Sequence, residues 1–245
     1  MDGPIRFSHL KTLGTKSPAH LFGGADEDKE TAAIELGSAV DMLVFGTGRV
    51  LAWDGTRRGK AYEEFAAANL DAIILTEAAY EKATAMHAAL NAHPLAGKLF
   101  APPAVRQETI LWTLAGRACR STPDAYRNDA DGNWLADLKC SFTSDPDWFP
   151  QHALRMFYHV QAAYYREALK TARGFTPKHA YLASVESSAP HVVTVFRFTD
   201  RALEAGDKLW RLWFERFRVC EESGEWPGYT QSVAEIDVAD ELELD

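Results

Sequence analysis

The stretch from Asn128 to Phe198 constrains the fold most, because its hydrophobic period switches twice. It opens on a turn signal, Asn128–Asn133 (Asn-Asp-Ala-Asp-Gly-Asn), and continues into a short strand-like segment, Trp134–Cys140. A long helix is expected over Gln151–Ala172, where Leu154, Tyr158, Gln161, Tyr165 and Ala168 recur along one stripe. Two further strands are expected at His179–Val185 and Val192–Phe198, either side of a Ser187-Ser188-Ala189-Pro190 turn. A final amphipathic helix carries Trp210, Trp213, Phe214 and Phe217, ahead of Trp226-Pro227-Gly228-Tyr229 and an acidic tail. Strands interleaved with helices bury their apolar faces by stacking in layers. The expected class is therefore α/β (α+β), a mixed central β-sheet flanked by helices.

The N-terminal part reads as helical. The segment up to Asp28-Lys29-Glu30 is turn-rich and expected at the surface. Thr31–Phe45 follows with Ile34, Gly37, Asp41 and Val44 on one face, and Gly46-Thr47-Gly48 ends it. Another helix is expected near Lys60–Asn69, and a third after Thr76, a plausible N-cap, stopping before Pro94. A hairpin follows, Glu108–Leu114 and Arg117–Thr122 about an Ala115-Gly116 turn. This gives one domain over 1–245, with a helical part over about 1–100, a core over about 101–230 and the acidic tail.

Composition excludes some classes of function. No run approaches the roughly 18 apolar residues of a membrane span, and Met1–Arg6 lacks the pattern of a signal peptide, so cytoplasmic residence is expected. Cys119, Cys140 and Cys220 are too few and too scattered for a disulfide framework, a zinc knuckle or a four-thiolate cluster. Lys and Arg number 26 against 35 Asp and Glu, a net charge of −9. That argues against a protein that simply coats nucleic acid. It leaves room for an enzyme that gathers carboxylates around metal ions and confines positive charge to a groove.

The chemistry concentrates in Pro123-Asp124 and Asp137-Leu138-Lys139. On a strand, Asp137 and Lys139 project to one face while Leu138 points to the other. Asp124, at the end of the preceding hairpin strand, can come alongside across the turn. Two carboxylates at one spot repel each other unless a cation neutralises them, and hard divalent ions prefer oxygen ligands. A neighbouring ammonium then orients a water or stabilises charge on a phosphate. Taken alone, the triplet is equally an exposed Asp and Lys on an edge strand beside a turn acid. Asp41 adds weight, since a carboxylate on an apolar helix stripe is costly unless paired or metal-bound. Gln161 and Tyr165 fall on the inward stripe of the long helix. Glu108 is a further acid, read as structural. Arg57, Arg58 and Lys60 form the densest basic cluster, either a phosphate contact or a solvated loop.

These segments, in this order, resemble the PD-(D/E)XK nuclease superfamily, in particular the phage-type exodeoxyribonuclease VIII (RecE-like) nuclease domain. Leu36-Gly37-Ser38-Ala39-Val40-Asp41 resembles the family's glycine-containing first helix. Gly116–Asp124 resembles the strand leading to its first metal-binding Asp, and Trp134–Lys139 its central motif. Tyr158–Tyr165 is similar to the Gln-x-x-x-Tyr helix of RecB-like branches, and Gly224–Tyr229 to the closing segment. The family's first helix usually offers a His where this chain has Asp41. The resemblance implies a restriction-endonuclease-like core that hydrolyses linear double-stranded DNA, 5′ to 3′, with magnesium, for which manganese substitutes. It implies Asp124 and Asp137 as metal ligands with Asp41 and the Leu138 carbonyl, Lys139 at the attacking water, and Gln161 and Tyr165 seating the nucleotide. It also implies a homo-oligomeric ring, a single-strand annealing recombinase as partner, and a phage or prophage origin. The alternatives are another PD-(D/E)XK activity, such as a structure-specific endonuclease, and a catalytically silent member that binds DNA or a partner protein.

Overall fold

A computed structural model describes residues 3–22 and 32–235. Thr31 and the last ten residues of the acidic tail lie outside the described residues. Of the N-terminal segment, Asp28-Lys29-Glu30 lies outside the described residues, and the part before residue 23 is not merely a surface turn. Phe7–Thr15 forms a helix (α1) that buries Phe7, Leu10 and Leu13, and Ile5 ahead of it is fully buried. Then come α2 (Ala32–Phe45), β1 (Arg49–Trp53), α3 (Lys60–Ala67), β2 (Ala72–Thr76), α4 (Glu77–Ala92) and α5 (Ala96–Phe100). Thr76 caps α4 as expected, its hydroxyl accepting from the Ala79 N–H at 3.3 Å. The parallel pair β1–β2 was not legible as strands.

The central part comprises β3 (Val105–Arg106), β4 (Ile110–Leu114), β5 (Arg117–Ser121), β6 (Ala125–Asp129) and β7 (Gly132–Ser141). It is followed by α6 (Phe149–Arg155), α7 (Tyr158–Arg173), β8 (His179–Glu186), β9 (Val193–Arg197) and α8 (Asp200–Ser223). β4 and β5 pair as the expected hairpin. The main sheet has the order β3-β6-β7-β8-β9, with β7 and β8 parallel and the other pairs antiparallel. The parallel pair needs a crossover, and α6–α7 supplies it. The expected single helix is therefore two. Phe157 takes a left-handed φ of 62° between them, and Leu154, placed on the inward stripe by periodicity, is 47% exposed. The Asn/Asp-rich turn is also shorter than expected, because Asn128 and Asp129 belong to β6 and pair with Asn133 and Gly132.

Alternation along β7 sends its two faces into separate cores. Leu135 packs with Tyr126, α1, α7 and α8, whereas Ala136 and Leu138 pack with α2 and α4. Helices thus cover both faces of a mixed sheet. On α2 the buried residues are Leu36, Ala39, Val40 and Phe45, while Ile34 is 49% exposed. The expected stripe was rotated because apolar residues run almost round this helix. Asp41 lies half-buried at the margin of the true one. Among the described residues no helix is long and apolar enough to cross a membrane.

Candidate active site

The β6–β7 ladder ends at Ala125↔Ala136, so β7 loses its partner strand where the sequence reads Asp137-Leu138-Lys139. Asp124, the residue before β6, fills the gap: its Oδ2 accepts the Leu138 N–H at 2.7 Å. The other oxygen, Oδ1, accepts from Gln107 Nε2 at 3.0 Å, and the Gln107 N–H donates to the Asp124 carbonyl at 3.0 Å. Gln107 adopts a φ of 50° to make both bonds, local strain spent on fixing one carboxylate. In an extended strand a residue's N–H and C=O leave on the same edge, so the Leu138 carbonyl leaves on the Asp124 side.

Asp137 and Lys139 share the face of β7 that looks toward α7, and they form an ion pair. Lys139 also lies over the Tyr158 ring, 5.0 Å from its centroid. Burial works against the Lys139 charge, but Asp137 and Asp124 together hold its pKa above the usual lysine value. For Asp124, burial and then the Asp137 charge push the carboxyl well above the ordinary range, with Asp41 adding to the effect. Asp41 approaches from α2, and burial pushes it up to about 7 against the attraction of Lys139. Three carboxyls therefore share one field with a single buried ammonium, which is ion-paired to Asp137.

That donor set suits a divalent cation in charge and chemistry, since the oxygens are hard and each carboxylate resists ionising beside the others. Asp137 Oδ2 is buried and, although it faces the ammonium, receives no hydrogen bond of acceptable geometry. Among the described residues no three His, Cys, Asp or Glu side chains are grouped so that they could hold a metal ion by themselves, so a cation here would also need backbone or solvent oxygens. Gln161 and Tyr165 stand beside this cluster. Gln161 Nε2 donates to the Tyr165 hydroxyl at 3.1 Å, and burial and then Asp137 and Asp124 raise the phenol's pKa.

Arg57, Arg58 and Lys60 lie before and at the start of α3. Arg57 is bidentate to Glu35 at 2.6 and 2.8 Å and Lys60 faces Glu64 at 3.7 Å, so two of the three cations are engaged by carboxylates. Glu108 is bound by Arg173 at 2.7 Å and by the Tyr126 hydroxyl, which agrees with a structural role. All three cysteines are free thiols.

Sequence reasoning missed Gln107, Lys11, Arg6, Arg120 and Tyr158. Arg6 and Arg120 are 114 positions apart in the chain. They meet because Ile5 bridges Cys119, the Ile5 N–H donating to Ala118 and the Arg120 N–H to Ile5, at 2.9 and 2.7 Å. Both arginines line a cleft of about 210 Å³ with Ser8, Thr122, Gln161 and Tyr165. Lys11 on α1 is near enough that burial and then Lys139 lower its pKa. No local sequence pattern links these residues. Only Tyr158, on the stripe with Gln161 and Tyr165, carried a signal.

A mixed sheet whose central strand loses its partner at Asp137-Leu138-Lys139, with an Asp beside it at the end of a hairpin, defines a PD-(D/E)XK-type domain. The chain belongs to the family described as PDDEXK-like domain of unknown function (DUF3799), whose profile matches residues 7–238. Among solved structures it is similar to one from Eubacterium rectale described as a "Putative exonuclease". That likeness has a TM-score of 0.68 at 17% identity, covering 96% of this chain and 91% of that one. An alkaline exonuclease from Laribacter hongkongensis matches over 49% of this chain and 59% of its own, at 13% identity and a TM-score of 0.29. No curated protein matches the chain in sequence.

Proposed function

We propose that this chain is a divalent-metal-dependent deoxyribonuclease that degrades linear double-stranded DNA from its ends. One observation carries the reading: Asp124, Asp137 and Lys139 meet where β6 leaves β7, with Asp41 adding a third carboxyl to the same field. A bound magnesium ion, with manganese as substitute, would supply a Lewis acid at the scissile phosphate and ease deprotonation of a water. Asp124 and Asp137 would hold it, with Asp41 and the Leu138 carbonyl as further donors. Lys139 would orient the water and, as a cation, stabilise charge on the phosphate. Arg6, Arg120, Gln161 and Tyr165 supply the cleft in which the DNA backbone lies beside the cluster.

Degradation 5′ to 3′, in phage-type recombination with a single-strand annealing recombinase, and assembly into a homo-oligomeric ring belong to the same proposal. The sequence resemblance supports them; the description of the Eubacterium rectale protein that shares the fold bears on exonuclease action alone. The test is digestion of 5′-labelled, 3′-labelled and closed-circular duplexes with and without magnesium. The reading expects magnesium-dependent release from the 5′ end of linear DNA, sparing of circles, and losses of at least about 100-fold for Asp137→Ala and Lys139→Ala. Nicked circles would indicate an endonuclease. Absence of cleavage with magnesium or manganese would indicate a silent binding protein. Full activity in either variant would mean the site lies elsewhere.

A further inference from the structure

Beside the cluster, the aromatic side chains form a path that leads outward. Lys139 lies over Tyr158. Tyr158 meets His152 edge-on with ring centroids 6.4 Å apart, and His152 stacks on Trp148 at 5.3 Å with an interplanar angle of 19°. Trp148 is 48% exposed, although the next residue, Phe149, is fully buried against Phe196 at 4.9 Å. The indole is therefore held out on a rigid anchor. The loop before it is pinned as well, with the Ser144 N–H donating to Glu186 at 2.8 Å and its hydroxyl to the Val192 carbonyl at 3.0 Å. Trp148, the residue just before α6, is followed at helical spacing by His152 and Arg155 within it, and Arg155 is exposed.

An exposed, pre-positioned indole stacked on an imidazole offers a flat π-face, and every nucleobase has one to match it. Asp145 and Asp147 stand on the loop just ahead of Trp148, which disfavours a phosphate at that end, whereas Arg155 offers a cation on the same face of the helix. This order, base at the indole and backbone toward the arginine, fits a single strand and not a duplex, whose bases present only their edges.

We infer that Trp148 and His152 form a stacking platform for an unpaired nucleobase of the strand engaged at the Asp124–Asp137–Lys139 cluster, with Arg155 on the backbone of that strand. The inference rests on the nuclease reading of the cluster for its location, but its test does not require cleavage. Binding of a fluorescein-labelled oligothymidylate to the full chain is followed by anisotropy in calcium, alongside an oligomer of equal length whose central sugars are abasic. Trp148→Ala is expected to weaken binding of the base-bearing oligomer about tenfold, within the range for loss of one aromatic–base stack. Trp148→Phe should restore most of it, and the abasic oligomer should bind wild type and variant alike. Equal losses on both oligomers, no loss at all, or no measurable binding by wild type would each overturn the platform. Matching thermal midpoints for Trp148→Ala and Trp148→Phe separate stacking from a fold defect. If the platform behaves as expected but wild type cleaves no DNA, the nuclease reading fails while the stacking site stands.

Discussion

Asp41→Asn tests the electrostatics of the cluster in the absence of metal. In the folded chain the Asp41 carboxyl is pushed from its ordinary 3.8 up to about 7, by burial first, against the pull of Lys139, with Asp137 adding to the rise. The folded state therefore holds the proton more tightly than the unfolded chain. Stability from this group is complete below about pH 4 and is lost as pH rises toward 7. Shifting one carboxyl from 3.8 to about 7 corresponds to about 4 kcal/mol by pH 8, an upper figure because water and side chains relax around the charge. Asn keeps the shape and cannot ionise, so the variant should escape most of that loss. For a chain of this size each kcal/mol moves the melting midpoint by roughly 2–4 °C. With EDTA present, the wild type should lose stability between pH 5 and pH 8, and Asp41→Asn should lose less by about 5 °C or more. Magnesium at pH 8 should then raise the wild-type midpoint more than that of the variant, because an ion bound only by the folded state stabilises it. If both proteins show the same change between pH 5 and pH 8, Asp41 is not a desolvated member of the cluster, and the argument for it as a ligand goes with it.

Other parts of the molecule give separate expectations. A Cβ on Gly206 of α8 would lie 2.5 Å from the His159 carbonyl oxygen on α7, so Gly206→Ala should cost about 2–3 kcal/mol in urea unfolding; an unchanged midpoint would mean that the two helices can part easily. Arg6→Ala and Arg120→Ala should each weaken duplex binding and reduce the slope of log K against log salt by about 1, whereas Arg57→Ala, already held by Glu35, should leave that slope unchanged. Gln107→Leu removes the side-chain donor to Asp124 Oδ1 and should raise that carboxyl's proton affinity further, so the acid limb of the cleavage–pH profile should move to higher pH. An unmoved limb would mean that Asp124 does not govern it.

Legibility in the sequence followed the range of the interactions. Asp137 and Lys139 could be assigned to one face because strand alternation is local and Leu138 between them is apolar. The hairpin and the cap at Thr76 were equally local and were read correctly. β6 was hidden because Asn128 and Asp129 are turn formers that pair here only because β7 lies opposite. The break at Phe157 left no mark because the residues on both sides favour helix, and the separation of α6 from α7 is imposed by packing on the sheet. α1 was missed because its apolar residues span only two turns, and its burial depends on α8, some 200 residues later. The carboxylate–lysine pair was thus readable, while the cleft beside it, assembled from α1, β5 and α7, was not.

The same distinction bears on how a chain of net charge −9 would receive the DNA proposed as its substrate. Many of its arginines are neutralised by nearby acids: Arg57 by Glu35, Arg127 by Asp129 and Asp131, Arg173 by Glu108, Arg211 by Glu167 and Asp207, and Arg218 by Glu215 and Glu222. Such pairs on the surface contribute little to stability, and they also present little positive field. Among the described residues Arg6, Lys11 and Arg120 have no carboxylate within ion-pair distance, and the Arg120 guanidinium makes a long bond of 3.4 Å to Thr109. Density of basic residues along the chain is therefore a poor guide to where a phosphate is drawn. Arg57, Arg58 and Lys60 are close in sequence but largely compensated, whereas Arg6 and Arg120 are remote in sequence and uncompensated at one cleft. Low-dielectric walls at that cleft, formed by Phe7 and Tyr165, concentrate the field of those charges beside the carboxylates that would hold the metal.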